Sequence, residues 1–345
     1  METLFFYFLR RGLWETEEVY SGDMTMGPED WERLFAMAHE QAVTGLVIDG
    51  VGQTDRRPDR EVWEQWLIHL LYMEQMNRAV ERCGVQWLNR LEKAGMAAFV
   101  VKGTSVAQWY RQPLHRSFGD VDIVIGNGWE KLVAMLTEGG YDCRNEHGDI
   151  VVQEDGRVPV EFHPQWEYVY NPIANARLRK LTRAADGKDR ELYLVCLILH
   201  LRRHFLTYGI GLKQVCDVAV MLHRVQLDPE KVAALLKRLH AERFSRILFG
   251  FIANYIKGTE HFPLEPIRQG KDAVLFRNIV MNDAYRLKMV REEKAGNSRF
   301  PIGRILANAC FWMRRGWRLL GMMPAEAICL PGYLVARRVR GVMEK

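Results

Sequence analysis

The chain has 345 residues, of which 48% are apolar and 26% charged, with a formal net charge of +5. This describes an ordinary globular protein long enough for a large core and two domains, and it excludes a low-complexity or repeat architecture. The charge is uneven, because residues 301–345 hold eight Lys/Arg against two acids and leave the remainder slightly acidic.

In chain order, METLFFYFLRRG holds only a short apolar run, with Glu2 and no basic start, which predicts no signal peptide. No stretch of about 18 apolar residues occurs, so no transmembrane helix is expected. The six cysteines (Cys83, Cys143, Cys196, Cys216, Cys310 and Cys329) have no CxxC spacing. They read as buried free thiols of a reducing, cytoplasmic compartment. Residues 1 to about 95 are expected to be helical. Pro28 starts one helix, and a long amphipathic helix runs from about Arg60 to Glu92 with a possible break at Gly84.

At Met96 the texture changes. AAFVVKG reads as a buried strand ending at Gly103, and residues 120–125 (DVDIVI) as a second. Residues 129–138 form a helix that stops at Gly139-Gly140. Three further strand-like runs follow, over 141–145, 149–153 and 159–163. After Pro172 the pattern is helical again, with a nearly all-apolar run at 192–201 and Asp228 as an N-cap. The expected fold class is α+β. A small mixed sheet at 81–170 is flanked by an N-terminal helical region (1–80), a helical domain (171–300) and a basic tail (301–345).

Strand side chains alternate, so Asp120, Asp122 and Val124 share one face while Val121, Ile123 and Ile125 bury the other. The two carboxylates then lie about 6.6 Å apart along the strand, close enough to share a cation. Like charges this near need a counter-ion, and a hard divalent ion such as Mg²⁺ suits oxygen ligands. Taken alone, the short and common pattern more often marks two solvated aspartates at an exposed strand end. Glu161 in VPVEFHP falls opposite Val158, Val160 and Phe162, together with His163, and needs a partner. A shared metal or a salt bridge to an arginine would supply one. Lys102-Gly103-Thr104-Ser105 joins a strand to a helix, where free N–H groups, the lysine and two hydroxyls can meet a phosphate. Arg116, ahead of Gly119, is a phosphate or structural contact.

The order KGTS, then RSFGDVDI, then VEFH resembles the polymerase-β-type nucleotidyltransferase superfamily. It is most similar to a branch of uncharacterised bacterial nucleotidyltransferases with a KG, RxxGDxD and EhH arrangement. That branch also carries a helix like His200-Leu-Arg-Arg-His204-Phe followed by Gly209-Ile-Gly-Leu-Lys213-Gln-Val-Cys-Asp217. The resemblance covers roughly residues 30–260. It implies a nucleotidyltransferase core that moves an NMP from an NTP to a hydroxyl acceptor. Asp120, Asp122 and Glu161 would hold Mg²⁺ or Mn²⁺, and Lys102, Gly103, Thr104, Ser105, Arg116, Gly119 and Arg203 would surround the nucleotide. The usual second glycine of the first motif is Thr104 here, and Arg203 stands where the branch usually has lysine.

The residues support that helix independently. His200, Arg203, His204 and Thr207 form a polar stripe at i, i+3, i+4 and i+7, as expected of a helix facing a cleft. The histidines could ligate zinc, but no third ligand is near in sequence. Lys213 and Asp217 have the spacing of an i, i+4 ion pair. The acceptor stays open among a small molecule, a tRNA and a protein. The alternative is a nucleotide- or RNA-binding protein of the same fold with altered catalysis. The tail, with Trp312 and Trp317 among Arg314, Arg315 and Arg318, reads as a helix packed on the body, or as a contact for RNA or an anionic membrane.

Overall fold

In the computed structural model, residues 1–14, 20–22, 24–146, 148–154, 158–183, 187–282 and 301–343 are described. The fold is α+β, a five-stranded mixed sheet among many helices. Strands β1 (Ala98–Val101), β2 (Val121–Ile125), β3 (Cys143–Glu146), β4 (Asp149–Glu154) and β5 (Val158–His163) are ordered β1-β2-β5-β4-β3. Only the central pair, β2 and β5, runs parallel.

Helices α1 (Glu2–Leu13), α2 (Pro28–Glu40), α3 (Thr44–Gly52) and α4 (Arg60–Lys93) precede the sheet. The apolar start of the chain is explained by α1, which crosses α3 at backbone distance. A Cβ on Gly12 would sit 1.8 Å from Leu46 O, and one on Gly50 would sit 1.8 Å from Phe8 O. Only glycines permit that approach. Asp59 caps α4 by accepting from Val62 N. Gly84 does not break α4. It faces the sheet, where a Cβ would touch Val121 at 3.4 Å.

Each face of the sheet has a different task. Val121, Ile123 and Ile125 of β2 and Val158, Val160 and Phe162 of β5 pack with Val80, Trp87 and Leu91 of α4 and with Leu132 and Leu136 of α6 (Trp129–Glu138). Burying that face turns Asp122, Glu161 and His163 to the other, as the alternation requires.

Helices α5 (Gly103–Ala107), α7 (Pro172–Thr182), α8 (Arg190–Thr207), α9 (Leu212–Arg224), α10 (Pro229–Arg238), α11 (Glu242–Phe251) and α12 (Lys271–Asn282) build the second core together with α1, α2, α3 and the first half of α4. The run from Leu192 to Leu199 is buried throughout, as expected of a core helix. Asp228 caps α10 by accepting from Glu230 N and Lys231 N.

The tail forms α13 (Pro301–Leu319) and α14 (Pro324–Met343), which pack on the body. Arg315 is buried and donates to the carbonyls of Phe205 and Leu206 at the end of α8, so it is not available to an outside partner. The thiols are free, but Cys143 and Cys310 are exposed rather than buried. Among the described residues no helix is long and apolar enough to cross a membrane.

Candidate active site

A cleft of about 650 Å³ lies between the open face of the sheet and helices α8 and α9. Its floor is the parallel pair. In the β2–β5 register Asp122 stands beside Glu161, and Val124 beside His163. Asp120 precedes β2 and also lines the cleft, with Gly119. Carboxylate oxygens of Asp122 and Glu161 and a ring nitrogen of His163 lie within 4.8 Å of one another.

Asp122 is the buried centre. Its Oδ1 accepts from Lys102 Nζ at 2.7 Å and from His163 Nε2 at 2.7 Å. Burial alone would neutralise this carboxyl, but Lys102 and His163 hold its pKa well below the usual carboxylate range. Burial likewise opposes a charged His163. Hydrogen bonds to Asp122 and Asp149 outweigh it and raise the imidazolium to about 9. For Lys102 the outcome is the same, with Asp122 overcoming burial to raise its pKa.

The other two acids behave oppositely. Glu161 is pushed up to about 7 by burial and by Asp122 and Asp120. Asp120 is raised by burial and by Asp122. Two carboxyls near an ionised third are under-compensated, which is what a site for an added cation looks like. Oxygen donors predominate and one imidazole is adjacent. That donor set fits a hard divalent ion, Mg²⁺ or Mn²⁺.

Local backbone geometry aims Lys102. This residue has φ +56°, a left-handed conformation costly for a side chain other than glycine. Its N–H donates to Tyr193 Oη of α8 at 2.9 Å, which ties the turn to the helical domain. Ser105 Oγ donates to Lys102 O and lies 2.5 Å from Tyr193 Oη. Ser105 therefore supports the turn. Neither it nor Thr104 lines the cleft, while Lys102 and Gly103 do.

Two arginines expected near phosphate are engaged by protein carboxylates. Arg116 grips Asp217 with Nε and Nη2 at 2.8 and 2.6 Å, and Tyr110 donates to the same carboxylate at 2.7 Å. Arg203 donates through Nε to Glu167 at 2.7 Å and lies over the Tyr168 ring at 4.4 Å. Both still border the cleft. Because Arg116 holds Asp217, the expected Lys213–Asp217 ion pair does not form. Lys213 instead lines the cleft, and its ammonium makes no ion pair among the described residues. Burial and the neighbouring Arg116 lower its pKa.

The polar stripe of α8 does face the cleft, through His200, Arg203 and His204. His200 Nδ1 is 2.8 Å from Glu167 Oε2. Burial, with Lys102 nearby, lowers His200 to about 4, and burial beside His200 lowers His204 well below the usual value. Among the described residues no third ligand joins these histidines, so they form no zinc site there.

Sequence reading missed Asp149, Glu167 and Tyr333. Tyr333 of α14 stacks on Tyr168, with ring centroids 6.0 Å apart and planes at 18°, and lines a smaller pocket of about 130 Å³ beside Lys102, His163 and Arg203. The tail thus reaches the site. No local pattern marks a tyrosine as a distant wall, so only the fold could reveal it.

Three comparisons bear on this arrangement. No curated protein and no solved structure matches the chain. A family model described as uncharacterised nucleotidyltransferase matches residues 27–256, which include the whole sheet, the KGTS turn and the α8–α9 wall. The match covers two thirds of the sequence and all of the carboxylate cluster, and the chain belongs to the uncharacterised nucleotidyltransferase family.

Proposed function

We propose that this chain is a metal-dependent nucleotidyltransferase that moves an NMP from an NTP to a hydroxyl acceptor. The observation that carries this reading is the register of Asp122 beside Glu161, with Asp120 two residues upstream on the same cleft. Asp120, Asp122 and Glu161 would hold Mg²⁺ or Mn²⁺, which when bound neutralises the triphosphate and its leaving group. Gly103 and Gly119 leave room at the cleft edge, and Lys102 and Lys213 offer positive charge to the phosphates. Arg203 and Arg116, already paired, extend that positive wall.

The acceptor oxygen attacks the α-phosphorus in line, and the bond from that phosphorus to the β-phosphate oxygen breaks to release pyrophosphate. Glu161, beside the divalent ion, assists departure of the acceptor proton to solvent. The acceptor is a small molecule, a tRNA or a protein. An outer contact with RNA or an anionic membrane is supported by exposed Trp317 and Met313 beside Arg314 and Arg318 on α13.

The decisive experiment is incubation with each α-labelled NTP, Mg²⁺ or Mn²⁺ and a cell extract. Label should enter one acceptor class, and Asp120→Ala should abolish it with the fold intact. Full transfer by Asp120→Ala would sink the reading. A second reading, a nucleotide- or RNA-binding protein with altered catalysis, is favoured by two observations. Lys102 Nζ already lies on Asp122, and Arg203 is held by Glu167. Binding of Mg²⁺–NTP with no transfer and no pyrophosphate release would select it.

A further inference from the structure

Two cations of the cleft converge on a single carboxylate oxygen. Lys102 Nζ and His163 Nε2 each donate to Asp122 Oδ1 at 2.7 Å. The neighbouring acids are not served in this way. Glu161 lies 3.9 Å from His163 Nε2 and has no closer ionic contact, and Asp120 has no ion pair, among the described residues. The ammonium of Lys102 nevertheless acts on both, lowering the pKa of each against the burial that raises it. It therefore sits as a monovalent cation among the carboxyls that would hold a divalent one.

The backbone of Lys102 is pinned on both sides. Its N–H donates to Tyr193 Oη, and its carbonyl accepts from Ser105 Oγ at 2.8 Å and from Val106 N at 3.1 Å. The four-carbon stem is the part free to turn, and it ends in a compact charge with three donors. Room for that movement lies beside it, because Lys102 borders both the large cleft and the smaller 130 Å³ pocket. A divalent ion on Asp122 meets this ammonium as a like charge. A triphosphate beside Gly103 offers the same ammonium several anionic oxygens in exchange for one.

We propose that Lys102 is a resident counter-ion that couples the two ligands of the cleft: its ammonium rests on Asp122 and discourages a bare divalent ion, and the nucleotide draws it off. Metal and nucleotide are then taken up together. This rests on the metal-dependent reading given above and assigns the order in which its site fills. His163 stays on Asp122 throughout and keeps that carboxylate ionised, so release of Lys102 exposes a charged ligand rather than a neutral one. The coupling is reciprocal, so Lys102 should weaken the metal alone and strengthen the metal–nucleotide complex.

The test is calorimetric titration of the full chain with Mn²⁺ alone and with Mn²⁺–α,β-methylene-ATP, whose bridging carbon blocks transfer. Lys102→Met should bind Mn²⁺ alone about tenfold tighter than wild type and the Mn²⁺–nucleotide complex about tenfold weaker, as removal of one charge at this range implies. Lys102→Gln, which lacks the charge but can still donate to Asp122, should shift both affinities the same way. Damage to the fold would weaken both ligands, so the opposed signs carry the result. Weakening of both, or an unchanged affinity for either, overturns the proposal while Mn²⁺ binding itself upholds the metal site. Absence of Mn²⁺ uptake by wild type and by both variants, with and without nucleotide, overturns the metal-dependent reading and this proposal with it.

Discussion

Glu161 lies directly beside Asp122 across the one parallel strand pair of the sheet, and the two carboxyls have opposite electrostatic fates. Asp122 is held ionised by Lys102 and His163, whereas Glu161 is raised to about 7 by burial and by Asp122 and Asp120. A raised carboxyl weakens folding as pH climbs from its unfolded value to its folded value, here from 4.5 to about 7, and the full penalty persists above. Removing that charge should stabilise the metal-free protein by up to about 3 kcal/mol at alkaline pH. Glu161→Gln is thus expected to melt higher than wild type in EDTA at such a pH and to lose the stabilisation that Mn²⁺ gives the wild type. Scanning calorimetry with and without Mn²⁺ reads both effects. A variant that melts lower in EDTA and still gains from Mn²⁺ would refute the cluster.

Arg116 and Asp217 predict a different kind of damage. Both are buried and joined by two short hydrogen bonds. Asp217→Ala strands a guanidinium and the Tyr110 hydroxyl away from water, so a loss of about 3–5 kcal/mol is expected. Replacing both partners, as Arg116→Met with Asp217→Leu, should recover much of it, because no charge is then left unpaired. Urea unfolding of the two variants decides the matter. A mild effect of Asp217→Ala would mean that Arg116 finds another acceptor in the protein or in cleft water.

The histidines of α8 predict acid sensitivity. His200 is lowered to about 4 and His204 further, so an unfolded chain binds their protons first as pH falls below 6.5. Stability is therefore present above 6.5 and lost as pH falls toward 4, with a slope near 1.4 kcal/mol per pH unit for each group. His163, raised to about 9, acts in the window above 6.5, whereas Glu161, raised to about 7, gains stability over the same fall and offsets about one of the two histidines. Urea midpoints should fall between about pH 6 and pH 5, and His204→Gln should flatten the fall. An unchanged slope in that variant would place the acid sensitivity elsewhere.

The parts of this molecule visible in its sequence are those set by local periodicity. The alternation in DVDIVI and VPVEFH separates the buried valines from the acids, and the i, i+3, i+4 stripe on α8 faces the cleft as its spacing requires. Relations that depend on three-dimensional partners were not visible. Lys213 and Asp217 have ion-pair spacing, yet Arg116, a hundred residues away, reaches Asp217 with a better bidentate geometry. Arg203 was expected at the nucleotide, and its pairing with Glu167 was hidden because Glu167 lies outside any motif. Gly84 read as a helix breaker because sequence shows the lost propensity and not the strand packed against it.

The tail carries the last prediction. Glu326 of α14 accepts from Tyr170 N and pairs with buried Arg202, which fixes α14 against the segment leaving β5. That anchorage presents Tyr333 to Tyr168, whose ring also receives Arg203. An aromatic wall next to the cleft suits a planar group of the nucleotide or acceptor. Tyr333→Ala should therefore weaken binding of Mn²⁺–ATP or raise the acceptor KM by about tenfold, while Mn²⁺ binding alone is unchanged, because Tyr333 touches none of the carboxylates. Titrations with Mn²⁺ alone and with Mn²⁺–ATP separate these effects. Glu326→Ala should lower stability by about 3 kcal/mol or more through the stranded Arg202, so the two tail variants divide anchorage from recognition. If Tyr333→Ala leaves every affinity unchanged, its stacking on Tyr168 serves packing alone, and the 130 Å³ pocket beside it takes no part in binding.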